Sequence, residues 1–111
     1  MRKEARLKPM YKSDYFNLGF VTLSANVDLE RLVNKRFASN IDSAILKFCK
    51  KDWGKASRDT KKQNEENLSH PEDLYLFGVY KTCKGEIWVI TNRATENPGE
   101  NVTTVLFPDE Y

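Results

Sequence analysis

The last third of the chain carries the clearest alternation of apolar segments and turns. The continuous apolar run Leu74–Lys81 is typical of a central β-strand, and Glu86–Thr91 has the character of a returning strand. Between them, Cys83-Lys84-Gly85 is typical of a hairpin turn. A longer polar loop at residues 92–101 precedes a last apolar segment, Val102–Phe107. This pattern predicts a meander of three strands.

The first half of the chain predicts one strand followed by two helices. Asn17–Ser24 is the strand, and Ser24 or Asn26 then caps a helix whose apolar positions recur at helical spacing: Leu29, Leu32, Val33 and Phe37. Asn40 is expected to cap a second helix, whose core-facing stripe is formed by Ile41, Ala44, Ile45, Phe48 and Cys49. Gly54 suits the left-handed position after a helix, so the second helix is expected to end there.

A third helix, from Arg58 to about Leu68, is polar on nearly every side. Ser57 supplies its N-cap, and Ser69-His70-Pro71 breaks it. A helix of this kind is either held by contacts at its ends or exposed for a partner. The sequence alone leaves both interpretations open.

These elements predict an α+β fold with a four-stranded, mainly antiparallel sheet and two or three helices packed on one face. The length of 111 residues allows one domain, which we expect to span residues 15–111. Residues 1–14 are polar and basic, and we expect a flexible N-terminal arm that forms a loose tail or an edge segment.

Charge is unevenly distributed along the chain. Residues 1–58 carry 13 Lys and Arg against 6 Asp and Glu, a net charge of +7, whereas residues 59–111 carry 5 against 10, a net charge of −5. A surface divided in this way favours an oriented partner over a uniform polyanion. No apolar run is long enough to span a bilayer, and no apolar segment follows the basic start, so we expect no membrane segment and no secretory signal. Cys49 and Cys83 are then expected to be reduced thiols in the cytoplasm.

The residues that commonly carry catalysis or bind metals are sparse. His70 is the only histidine, and no sequence signature supplies a partner to orient it as a general base. Two cysteines and one histidine lack zinc-ligand spacing, and the chain has no phosphate-binding loop, nucleophile elbow or HExxH motif. We therefore expect no metal, no cofactor and no catalytic residue.

Trp53 and the aromatic residues near the basic arm each have two interpretations, whereas Trp88 has one. Trp53 either fills the core where a helix meets the sheet or serves as an exposed anchor for a protein partner. Trp88 is expected to pack beneath the helices. A further set on predicted strands near the basic arm belongs to the core or offers a surface on which bases stack: Tyr15, Phe16, Phe20, Tyr75, Phe77 and Tyr80.

Several fragments resemble a family of small uncharacterised proteins encoded by plasmids, integrative elements and phages. The matching residues span roughly positions 16–111 and are most specific at the C-terminus: Leu18-Gly19, Asp52-Trp53-Gly54, Asn64, Leu68, Ile87-Trp88-Val89-Ile90-Thr91, Val102-Thr103-Thr104-Val105-Leu106-Phe107-Pro108 and Asp109-Glu110-Tyr111. The chain departs from the family in its longer loop at residues 92–101, where Arg93 stands at the start. The resemblance implies a mobile genetic element as the genomic setting and does not imply a mechanism.

These observations lead to one principal hypothesis about function. We expect the chain to be a non-catalytic accessory protein of a mobile element that binds a host or element-encoded protein complex. One example is an inhibitor of a host defence system of the anti-CRISPR or anti-restriction type. The residues expected to bind lie next to or on the polar helix and on the loop before the last strand: Trp53, Arg58, Lys61, Lys62, Glu65, Glu66, Arg93, Glu96 and Glu100.

Two alternatives remain. The first is a small toxin-like ribonuclease of barnase-like or RelE-like architecture, with its polar groups supplied by Arg58, His70, Arg93, Thr103 and Thr104. The second is a nucleic-acid-binding accessory domain that uses the basic arm and the strand aromatics. The basic excess is small for either activity, so nucleic acid is not the favoured partner.

Overall fold

The predicted strands assemble into one mixed sheet. In the computed structural model, which describes residues 4–7, 11–93 and 100–111, the elements follow in this order: β1 Glu4–Leu7, β2 Phe20–Ser24, α1 Ala25–Val33, α2 Lys35–Cys49, α3 Arg58–Asn67, β3 Tyr75–Thr82, β4 Gly85–Arg93 and β5 Asn101–Leu106. Short 3₁₀ turns at Pro71–Asp73 and Pro108–Glu110 lie before β3 and after β5.

The order of the described strands across the sheet is β1-β2-β5-β4-β3. β2 and β5 run parallel, and the other neighbouring pairs are antiparallel. The α+β class with helices packed against a mainly antiparallel sheet is therefore confirmed. The four predicted strands are present, and Glu4–Leu7 adds a short edge strand, which is the edge-segment alternative for the first residues.

One face of the sheet forms the core together with α1 and α2. Because side chains alternate between the two faces of a strand, Val21, Leu23, Ile87, Val89 and Val105 share the helix-covered face. The helices contribute the remaining large side chains of this core: Val27, Phe37, Ile41, Ala44, Ile45 and Phe48. Tyr11 also packs against this core, so the packed domain includes residues that the sequence assigned to the N-terminal arm.

The helix boundaries differ from those that the apolar pattern predicted. Asn34 is extended, ends α1, and accepts a hydrogen bond from the Phe37 backbone N–H at 3.0 Å, so α2 starts at Lys35. Asn40, the predicted cap, instead accepts a hydrogen bond from the Cys83 N–H and ties α2 to the β3–β4 turn. The second helix ends at Cys49, before Gly54, because Lys51 already adopts a positive φ of 66°.

The predicted position of Trp88 is also wrong. It pairs with Val79 and Leu106 in the register, on the face of the sheet opposite the helix-covered core. Strand β4 is apolar on both faces, so its pattern alone gave no indication of which face Trp88 occupies.

Candidate binding surfaces

The Asp52-Trp53-Gly54 segment holds the sheet edge to the end of α2. The Val79 N–H donates to the Trp53 carbonyl at 3.1 Å, and the Lys55 N–H donates to the Val79 carbonyl at 2.7 Å. A Cβ on Gly54, where φ is +68°, would lie 2.0 Å from the Val79 carbonyl oxygen, so this approach requires glycine. The Asp52 carbonyl accepts a hydrogen bond from the Tyr80 hydroxyl. The motif therefore has a structural role.

Trp53 is 4% exposed, which corrects its interpretation as a surface anchor. Its ring meets Phe48 edge to face at 5.4 Å and lies 6.3 Å from Phe16. The indole N–H donates to the Glu65 carboxylate at 3.1 Å. The structure supports the alternative in which Trp53 fills the core where helix meets sheet.

The polar helix α3 is held against the outer edge of β3 by amide side chains. Asn64, 2% exposed, donates to the Phe77 carbonyl at 2.9 Å and accepts from the Phe77 N–H at 3.1 Å. Asn67 donates to the Tyr75 carbonyl at 2.7 Å. These side chains satisfy backbone groups that an edge strand otherwise leaves open to further pairing. This explains how a helix with almost no apolar residues is retained.

The outward face of α3 carries the charged residues that were predicted from the sequence to bind a partner. Arg58, Lys61, Lys62, Glu65 and Glu66 are all exposed. Glu65 is also engaged within the molecule, because besides its bond to Trp53 it lies 3.8 Å from the Lys51 ammonium. The structure thus brings these side chains to one helix, where all five are exposed to solvent.

The predicted residues of the loop lie elsewhere. Arg93 is half-buried at the end of β4, donates to the Glu72 carbonyl, and lines a cleft of about 400 Å³ with Leu68 and Leu74. Glu100 is exposed just before β5. Glu96 lies outside the described residues.

The polar groups of the ribonuclease alternative are not brought together. Arg58 begins α3 and His70 follows its other end, so a ten-residue helix about 15 Å long separates them. Thr103 is buried and bonds to the Leu18 carbonyl, whereas Thr104 lies on the opposite face of β5. His70 is near Glu72, with 3.6 Å between Nδ1 and the carboxylate.

The face of the sheet turned away from the helices carries a group of aromatic side chains that we call the aromatic face: Phe20, Tyr75, Phe77, Trp88 and Tyr111. The Trp88 ring lies 4.9 Å from Phe77 and 5.5 Å from Tyr111. Phe20, Tyr75 and Tyr111 are 43%, 38% and 74% exposed. Helices α1 and α2 do not cover these rings, because they pack on the other face.

The C-terminal turn holds Tyr111 over this face. One oxygen of the Glu110 carboxylate accepts from the Ser24 hydroxyl and the Phe107 N–H, both at 2.7 Å, and the other accepts from Asn26. The Tyr111 hydroxyl then lies 3.4 Å from that of Tyr75. Burial, followed by this hydrogen bond, raises the pKa of Tyr75 to about 12, so the Tyr75 hydroxyl is neutral at physiological pH.

The aromatic set expected from the sequence is divided between environments. Phe20, Tyr75 and Phe77 belong to the aromatic face, but Tyr80 faces the core, where burial raises its pKa. Two further members lie outside the strands: Phe16 packs on Phe48, and Tyr15 lies under the Lys51 ammonium, 4.5 Å from its ring centroid. The sequence reasoning missed Trp88 and Tyr111 because both strand faces are apolar and because the last residues follow β5 in a turn.

Charged side chains are few on the outward positions of β2 to β5. Lys81 and Glu86 are directly opposite in the register, and the other described outward positions are aromatic, aliphatic, hydroxyl or amide. These described positions of β2 to β5 are therefore nearly neutral in net charge.

A second exposed apolar surface lies on α1, and we call it the α1 stripe: Leu29, Leu32 and Val33. These side chains recur at helical spacing but are 60%, 64% and 81% exposed. The helix instead turns Val27 and Asp28 inward, and Phe37, the fourth member of the predicted stripe, belongs to α2.

No metal or thiol site emerges from the part of the chain that the structure describes. No three His, Cys, Asp or Glu side chains of these residues are placed to hold a metal ion. Cys49 is buried, which raises the pKa of its thiol, Cys83 is exposed, and both are free. No helix formed by the described residues has both the length and the apolar character needed to cross a bilayer.

Comparison of the chain with protein-family models, with curated proteins and with solved structures finds no match.

Proposed function

We propose that this chain is a non-catalytic accessory protein of the cytoplasm that works by binding another protein, and that the aromatic face makes the contact. The observation that carries the proposal is the cluster of Trp88, Tyr75, Tyr111 and Phe77, with Phe20 farther along the same sheet face, opposite the face that α1 and α2 cover. Tyr, Trp and Phe are enriched at the centres of protein interfaces, where they supply much of the binding energy.

The geometry of this face suits a protein surface. The rings stand on paired strands, and Tyr111 is held in place through the hydrogen bonds of Glu110, so little conformational freedom is lost on binding. The Tyr75 and Tyr111 hydroxyls offer polar contacts at one side of the rings. Such amphipathic rings are common anchors of protein interfaces.

The charge of the face favours a protein over a nucleic acid. Base stacking uses aromatic side chains, but affinity for a nucleic-acid strand also requires cations that neutralise phosphates. The one described cation at an outward position of β2 to β5, Lys81, faces Glu86 across the strands. A nearly neutral apolar partner surface is the better complement.

The resemblance to proteins of mobile elements supplies the most concrete version of this proposal, an inhibitor of a host defence complex. This version rests on genomic association rather than on a physical argument. It predicts that the host tolerates expression of the chain and that a defence complex co-purifies with it. Growth arrest on expression, relieved by a neighbouring gene, would instead indicate a toxin.

The experiment is affinity purification from a host cell with quantitative mass spectrometry. The variant pair Tyr75→Ala with Tyr111→Ala removes two exposed rings of the aromatic face, and Lys61→Ala with Lys62→Ala is the control on the exposed face of α3. We expect the first pair to lose the captured protein and the second to retain it, with equal thermal stability confirming that both fold. Loss with the α3 pair alone would place the interface on the helix that the sequence favoured.

A further inference from the structure

The α1 stripe contributes little to holding α1 in place. The helix is anchored by the Ser24 side chain, which accepts from the Val27 N–H at 3.2 Å, and by buried Val27. Asp28 is buried and pairs with Arg31 at 2.6 Å, and Glu30 lies 3.6 Å from the Lys84 ammonium. Exposed Leu and Val side chains in one stripe promote association, so such a patch marks an interaction surface.

The charges beside the stripe indicate the chemistry of its occupant. Lys35 and Arg36 follow Val33 by two and three residues, are exposed, and have no ion pair among the described residues. The nearest acidic group of α1, Glu30, is already neutralised by Lys84. An apolar ridge with unpaired cations at one end is complementary to an apolar ridge flanked by carboxylates.

We propose that the α1 stripe binds an acidic amphipathic helix of a partner protein. The residues Leu29, Leu32 and Val33 follow the i, i+3, i+4 spacing by which one helix packs along another. The carboxylates of the partner helix pair with Lys35 and Arg36, which set its position along the stripe. This interaction is separate from that of the aromatic face.

Two other occupants fit these observations less well. In an antiparallel two-fold contact between copies, Lys35 and Arg36 of one chain would lie toward the other end of the second stripe, where Asp28 and Glu30 are already paired with Arg31 and Lys84. A membrane surface is bound by helices with a longer apolar face than three residues of a nine-residue helix provide. Because α1 lies on the helix-covered side of the sheet and the aromatic face lies on the other, the chain has two binding surfaces that suit it to bridge two proteins.

A synthetic acidic peptide with Leu at i, i+3, i+4 and i+7 and Glu at its other outward positions serves as the probe. Its affinity is measured by fluorescence anisotropy for the full chain and three variants. Leu29→Ser with Leu32→Ser should weaken binding by about tenfold or more. Lys35→Glu with Arg36→Glu should weaken it and flatten its dependence on salt. Leu46→Ser, which alters an exposed leucine of α2 outside the stripe, should leave the affinity unchanged.

Further measurements distinguish an acidic helix from the other possible occupants of the α1 stripe. Tyr75→Ala with Tyr111→Ala should bind the peptide as the unmodified chain does, so failure of the aromatic-face proposal would be recognised separately. Absence of binding, equal binding of a peptide with Lys in place of Glu, or indifference to the stripe variants would overturn the proposal. A dimer abolished by Leu32→Ser would assign the stripe to a second copy. Binding to anionic phospholipid vesicles, with none to the peptide, would assign it to a membrane surface.

Discussion

Replacement of Asn64 by leucine tests how a polar helix is attached to the sheet. The Asn64 amide makes two hydrogen bonds with the backbone of Phe77, at 2.9 and 3.1 Å, and is 2% exposed. Leucine is similar in size but forms neither bond. The Asn64→Leu variant therefore leaves a carbonyl and an N–H of β3 without partners in a place that water does not reach.

The expected cost follows from these two groups. An unsatisfied buried donor or acceptor costs about 1–3 kcal/mol, so we expect the free energy of unfolding to fall by roughly 2–5 kcal/mol. For a domain of this length, each kcal/mol corresponds to about 4 °C in Tm. The melting temperature should therefore fall by about 8–20 °C, a large part of the stability of a small domain.

Urea unfolding followed by circular dichroism measures this loss, and hydrogen exchange of the Phe77 amide locates it. Lys62→Leu is the control on the same helix, because Lys62 is exposed and its side chain makes no hydrogen bond or ion pair with the described residues. The control should change stability by less than about 0.5 kcal/mol. A loss below about 1 kcal/mol in Asn64→Leu, or unaltered exchange at Phe77, would refute this explanation of how α3 is held.

Three further predictions concern other parts of the fold. Gly54→Ala should destabilise the protein by at least about 3 kcal/mol, because the added Cβ would lie 2.0 Å from the Val79 carbonyl oxygen at a φ of +68°; a melting temperature equal to that of the unmodified chain would contradict the bridge to β3. Trp88→Ala should cost about 1–3 kcal/mol in urea unfolding, less than a fully buried tryptophan, because it faces away from the core. The pKa of Tyr75 is raised to about 12 from an ordinary value of 10.0, so the contribution of this group to stability is complete below pH 10 and is lost as the pH rises through 12. Tyr75→Phe should reduce the loss of stability at alkaline pH. Equal alkaline losses in the two proteins would exclude this tyrosine as the source.

Periodicity identified the elements whose environment is uniform. The apolar alternation of the strands and the stripe of α2 from Ile41 to Cys49 correctly placed the sheet and its covering helix. Ser57 was also correctly identified as the cap of α3. Local side-chain chemistry determines these features, so a single sequence carries them.

The features that failed depend on tertiary contacts. The helical spacing of Leu29, Leu32 and Val33 predicted a helix but not which side of it is buried, and in α1 Val27 and Asp28 face inward. Strand β4 is apolar on both faces, so the face that Trp88 occupies is determined only by the pairing of β4 with its neighbours.

Some features of the candidate site were predictable from local sequence, and others depend on tertiary contacts. Exposure of the α3 charges was predictable from their polarity, whereas burial of Trp53 depends on Phe16 and Phe48, which are distant from one another in sequence. The aromatic face combines residues of β2, β3, β4 and the C-terminal turn. No window of sequence contains that combination.

Site-specific photo-cross-linking in a host cell tests whether the aromatic face contacts a protein. Benzoylphenylalanine replaces Asn92, an exposed outward position of β4 opposite Tyr75, and in a parallel chain it replaces Lys62 on α3. We expect a discrete protein adduct from position 92, lost when Tyr75→Ala and Tyr111→Ala are added, and no such adduct from position 62. A protein adduct from position 62 alone, or a nucleic-acid adduct from position 92, would contradict the aromatic-face proposal.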